Sequence, residues 1–137
     1  MEIEFLVRKG RFNWANPAQV TTNVHISLKG DDFKYYINID FEPERYKEFH
    51  EIFHNCYEID TIIEAIEECC DRVLSYIYNP EKPNAKKIKE LIHTDEFIQS
   101  LASMLLKRIE SEKARIIKKI EALKSMEEEL KSLKEEV

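Results

Sequence analysis

Apolar and polar residues alternate through much of the first 41 positions, and a period of two marks strands with one buried face. Ile3, Phe5 and Val7 define a first strand over Glu2–Arg8, followed by a loop from Lys9 to Ala18. Val20, Thr22, Val24, Ile26 and Leu28 define a second. The alternation resumes at Phe33, Tyr35, Ile37, Ile39 and Phe41 after Lys29-Gly30-Asp31-Asp32, which is a hairpin pattern. Pairing Leu28 with Phe33 and Val20 with Phe41 puts both apolar rows on one face, with Asn23, His25, Lys34, Tyr36 and Asn38 on the other. A sheet that is apolar on one side only needs helices on that side.

Past residue 42 the period lengthens to that of helices. Pro43 suits a first helical turn, and Tyr46, Phe49, Phe53 and Cys56 form the inward stripe of a helix over about 43–56. Asp60 is a capping residue for a second helix, about 60–79, with Ile62, Ile66, Cys69, Val73 and Ile77 on its buried face. Pro80-Glu81-Lys82-Pro83 reads as a linker, and Asn84 caps a short helix, about 84–93, through Ile88, Leu91 and Ile92. Thr94, followed by Asp95 and Glu96, starts a last helix that meets no Gly or Pro as far as Val137. If continuous, it is roughly 65 Å long at about 1.5 Å per residue, more than one small domain covers.

That last helix changes character along its length. Phe97, Ile98, Leu101, Ala102, Leu105 and Ile109 spread over a broad arc, as in a helix packed on its own domain. Further on, the apolar residues narrow to Ile116, Ile120, Leu123, Met126, Leu130, Leu133 and Val137. Spacings of three and four suit a coiled-coil seam, with Ile116, Leu123, Leu130 and Val137 in one core row and Met126 and Leu133 in the other. The expected fold class is therefore α+β. Residues 1–94 form an N-terminal three-stranded antiparallel sheet covered by helices, and residues 95–137 form a coiled-coil-like oligomerisation helix. Ile109 and the stripe from Ile116 to Val137 are the expected homodimer interface.

Composition narrows the function classes. In 137 residues, 43% apolar content supplies one core without disulfide staples. The net charge of −6 is uneven: residues 42–79 carry ten acidic and three basic side chains, while residues 80–137 carry twelve and thirteen. That distribution argues against phosphate-backbone binding, so nucleic acid is not an expected partner. No window approaches 18 consecutive apolar residues, so no membrane span is expected. Without an export signal, Cys56, Cys69 and Cys70 are expected to be reduced thiols in a cytoplasm. Seventeen Ile and fifteen Lys against seven Ala point to a low-GC genome, and a phage or mobile element would fit.

The sharpest chemical motif is His50-Glu51-Ile52-Phe53-His54. Two His four apart on a helix project to one side and can share a zinc ion, with the intervening Glu activating a bound water. These five residues resemble the zinc metallopeptidases. The resemblance implies His50 and His54 as ligands, Glu51 as general base, and Asp60 or Glu68 as third ligand. The metzincin pattern's Gly and third His are replaced by Tyr57 and Asp60, and Val73 and Leu74 stand where thermolysin-like enzymes carry a Glu. Zinc hydrolysis is thus the alternative, with no cofactor in the main expectation.

Other groups have plainer readings. Cys69 and Cys70 are adjacent, so on a helix they diverge by about 100° and read as core packing. Phe12 and Trp14, beside Arg11, offer interface-type side chains. Lys107, Arg108, Lys113, Arg115, Lys118 and Lys119 mix faces with Glu110 and Glu112 between them, as on a solvated face laced with ion pairs. The expected function is a non-enzymatic intracellular binding protein, a small homo-oligomeric regulator or inhibitor working through protein contacts. Its partner surface is expected at Phe12 and Trp14 and at Glu44, Glu48 and Glu51 of the acidic block Glu42–Asp71, which steers toward a basic target. A third reading is a nucleotide or anion binder that uses Arg residues at a subunit interface.

Overall fold

The computed structural model describes residues 1–12 and 20–136, apart from the side chains of Arg11 and Phe12. The period-two segments form strands β1 (Glu2–Phe12), β2 (Val20–Lys29) and β3 (Lys34–Phe41). They make one antiparallel sheet of order β1-β2-β3, as the alternation predicts.

Two details of the sheet differ from expectation. Leu28 faces Tyr35, Ile26 faces Ile37, Val24 faces Ile39 and Thr22 faces Phe41, so the hairpin register lies two residues from the expected one. An even slip keeps the same side chains on the inner face, which is why the face assignment survives it. The cause is the turn. Lys29 pairs with Lys34, and the Gly30 N–H bonds the Phe33 carbonyl at 2.9 Å. The Phe33 ring lies against Gly30, where any Cβ would collide with it, and stacks on Tyr35 with centroids 5.2 Å apart. Phe33 therefore belongs to the turn. The second difference is in β1, which continues past Arg8 to Phe12 across a bulge between Lys9 and Arg11. Gly10 adopts φ +121° there, a conformation that favours glycine.

The first helical segment is composite. A 3₁₀ turn, Pro43–Arg45, leads into α1 (Tyr46–His50), and α1 leads into a π-helical stretch, Glu51–Asn55. Then follow α2 (Ile59–Ser75), α3 (Lys82–Leu91) and α4 (Asp95–Glu136). The α2 helix starts before Asp60, so that residue lies in the first turn and is not the cap. It also ends short of the expected residue 79: Tyr76 is extended, and Ile77, expected on the buried face, is 84% exposed. The α3 helix takes in Lys82 and Pro83 from the expected linker, with Pro in the first turn where its missing N–H costs nothing. The start of α4 is as expected, since the Phe97 N–H bonds the Thr94 hydroxyl at 3.3 Å.

The core lies between the sheet and the helices. Val24, Ile26, Leu28 and Ile37 are fully buried from the sheet. Phe49, Phe53, Ile62, Ile66, Cys69, Val73, Ala85, Ile88, Ile92, Phe97 and Leu101 are fully buried from the helical segments. Aromatic pairs tie the first helical segment to the sheet, with Phe5–Phe53 centroids at 4.7 Å and Phe41–Phe49 at 4.6 Å.

The chain divides into two compact units, Met1–Ala102 and Ser103–Val137. The first two turns of α4 thus count with the first unit, whereas the expected boundary stood at residue 94. No helix is long and apolar enough to cross a membrane among the described residues.

The outer edge of β3 is closed by side chains. The Asn38 N–H donates to the Glu81 carboxylate at 2.8 Å, and the Asn84 side-chain amide donates to the Tyr36 carbonyl at 3.0 Å. Asn84, expected to cap a helix, instead satisfies a strand.

Candidate functional site

The α4 stripe exposes apolar side chains along much of the helix. Ile116, Ile120, Leu123, Met126, Leu130 and Leu133 are all exposed, at 46% to 62%, on a helix otherwise dominated by Lys and Glu. Ile109 is half-buried, and Val137 lies outside the described residues. Leu106 and Ile117 add exposed apolar surface beside the stripe. Within the helix, Arg115 pairs with Glu112 and Lys131 with Glu127. Among the described residues Glu129 and Lys134 have no ion-pair partner.

The His-Glu-x-x-His segment straddles the junction of α1 with the π-helical stretch. His50 closes α1, whereas Glu51 and His54 lie in the wider turn. Both His are half-buried, and their ring centroids are 4.8 Å apart. The His50 ring also lies 5.5 Å from Tyr46. The Glu51 carboxylate accepts a bond from the Asn55 amide at 3.1 Å. Glu68 is held by Arg45 through bonds of 2.8 and 3.0 Å, and Asp60 is exposed in the first turn of α2. Among the described residues, no three His, Cys, Asp or Glu side chains are grouped to hold a metal ion.

Much of the acidic block is engaged within the chain. Arg45 binds both Glu48, at 3.0 Å, and Glu68, while its guanidinium packs 4.5 Å from the Phe49 ring. Arg72 binds Glu42 at 3.4 Å and lies 4.9 Å over Phe41. Lys89 holds Asp71 at 2.6 Å, and His93 meets Glu67 at 2.5 Å. These contacts lace α2 to its neighbours. Of the expected partner-binding acids, Glu48 and Glu51 have intramolecular partners, and Glu44 is exposed with none among the described residues. Trp14 and the side chain of Phe12 lie outside the described residues.

Cys69 and Cys70 are fully buried, as their place on α2 predicts. Burial pushes both thiols up, and for Cys70 burial and then the adjacent Asp71 carboxylate bring it to about 12. Both effects disfavour the nucleophilic thiolate.

On the open face of the sheet, Arg8 donates to the Asn23 side-chain oxygen Oδ1 at 3.2 Å, and the Asn23 side-chain amide donates to the Asn38 and Asp40 side chains. Arg8, Lys9, Gly10 and Asn23 line a concavity of about 320 Å³ beside the bulge. Sequence reading missed one further surface, the turn after α2, where Tyr76, Ile77 and Tyr78 are 40%, 84% and 94% exposed. No protein family, curated protein or solved structure matches this chain.

Proposed function

We propose that the protein is a self-associating binding protein, a small regulator or inhibitor acting through protein contacts, and that it pairs with a second copy along α4. The exposed stripe from Ile116 to Leu133 carries this reading. Each Leu moved from water into a seam contributes roughly 1.5–3 kcal/mol, against an association cost of about 4–15 kcal/mol. Several such residues per copy are needed, and the stripe has them. Glu112 and Lys119 interrupt the second core row upstream, so the strongest pairing is expected around Leu123, Met126, Leu130 and Leu133.

Charge favours a parallel pair slightly. With Leu123 and Leu130 in one core row, Glu129 and Lys134 fall at flanking positions that meet across a parallel seam, once in each direction. Such exposed pairs are worth about 0.2–1 kcal/mol each. Antiparallel packing would instead bring Glu129 and Glu136 together. Three free thiols fit a reducing cytoplasm.

The test is the mass in solution by light scattering. The wild type is expected to be a dimer or larger at micromolar concentration. Leu123→Glu with Leu130→Glu is expected to stay folded and lose mass. A monomeric wild type overturns the assembly.

A further inference from the structure

The two margins of the sheet differ. Glu81 and Asn84 occupy the backbone of β3, whereas among the described residues no group bonds the outer margin of β1. Which β1 groups face outward follows from the register. The Asn38 N–H and Tyr36 carbonyl point away from β2, so their partners His25 and Ser27 direct their own backbone groups toward β1. There they meet Leu6 and Glu4. Ile3, Phe5 and Val7, between those positions, therefore turn N–H and C=O outward.

The side chains of this margin are antisymmetric. Glu2 and Glu4 stand before Leu6, and Arg8 and Lys9 stand after it. Glu4, Leu6 and Arg8 share the open face, and Glu4 and Arg8 are exposed. A parallel strand of the same sequence would set like charge against like. An antiparallel one, centred on Leu6, sets Glu4 against Arg8 twice and Leu6 against itself. In that register Phe5 and Val7 form a hydrogen-bonded pair, as the outward groups require, and the Glu4–Arg8 pair has the closer side chains.

We propose that β1 is an interaction surface for β1 of a second copy, paired antiparallel about a two-fold axis at Leu6. Both protomers keep their apolar faces on the same side, because the axis is normal to the sheet. The contact is separate from α4 pairing and stands whether or not that pairing occurs.

Cross-linking tests it in the full chain carrying Leu123→Glu and Leu130→Glu, so that α4 does not contribute. Two Leu6 Cα atoms across the axis lie about 4.5 Å apart, within disulfide reach. Two Glu2 Cα atoms lie about 26 Å apart at about 3.3 Å per residue. With Cys56 replaced by Ser in every variant, oxidised glutathione is expected to convert Leu6→Cys to a covalent dimer and to leave Glu2→Cys monomeric. In the Leu6→Cys background, adding Glu4→Lys or Arg8→Glu alone should slow cross-linking about tenfold, as two repelling pairs replace two attracting ones.

An equimolar mixture of the two charge variants should recover the rate, because Lys at 4 then meets Glu at 8 and Arg8 meets Glu4. Unfolding curves confirm that each variant is folded. Equal cross-linking at positions 2 and 6, or a mixture no faster than its components, overturns the pairing. Capture of a foreign strand at β1 without self-cross-linking also overturns it.

Discussion

The closed edge of β3 makes a quantitative prediction. Replacing Glu81 by Ala removes the carboxylate that accepts the Asn38 N–H at 2.8 Å. Hydrogen bonds to charged groups contribute roughly 1.5–3 kcal/mol when well buried. Glu81 is half-buried, so water can reach the freed amide, and about 1–2 kcal/mol is the expected loss. Glu81→Gln keeps an acceptor oxygen and should fall between wild type and Ala. Urea unfolding reads the stability as a lower midpoint with an unchanged slope. Amide exchange reads the contact itself, since Asn38 alone among the inner residues of β3 should lose protection. If Asn38 exchanges as slowly in Glu81→Ala as in wild type, the edge is held by something else. A Gln variant less stable than the Ala variant would equally refute the acceptor role.

Two further outcomes are expected. A thiol reagent at pH 8 should modify Cys56 in the native protein, while Cys69 and Cys70 react only on unfolding, because burial raises both thiols; rapid reaction of all three would contradict their burial. Ile37→Asp, at a fully buried position against Ile26, should cost several kcal/mol in urea titrations, as it places a carboxylate in the core. Tyr36→Ser on the opposite face should cost less than about 1 kcal/mol, and the reverse order would show the sheet facing the other way.

The sequence carries the two faces of the sheet because alternation is a local property that an even slip leaves intact. It does not carry the register, which Phe33 decides by folding over Gly30 instead of joining β3. The end of α2 was misread because Ile77 continues the apolar period of Ile62, Ile66 and Val73, although the chain has already left the helix at Tyr76. Asn84 has the residue type of a cap, and only the spatial approach of α3 to β3 reveals its bond to Tyr36. Glu81 gave no signal at all, since its partner Asn38 is 43 residues away. For the candidate surfaces, the α4 stripe was legible as spacing. The acidic block was legible as charge but not as a set of internal ion pairs, since Arg45 reaches Glu68 only after α1 and α2 pack.

Glu81 and Asn84 also set where growth of the sheet must stop. A strand that recruits another strand ordinarily passes an open margin along to the newcomer, and propagation then has no intrinsic end. When two copies join through β1, their strands run β3-β2-β1-β1-β2-β3, and both outer margins are β3. Each arrives already terminated, by a carboxylate on Asn38 and an amide on Tyr36. In that arrangement α3 and the residue before it would stop the sheet at two copies, independently of any pairing along α4. Removing both stoppers together would give each molecule a second open margin, and a further contact between β3 strands would then extend the sheet toward a fibre.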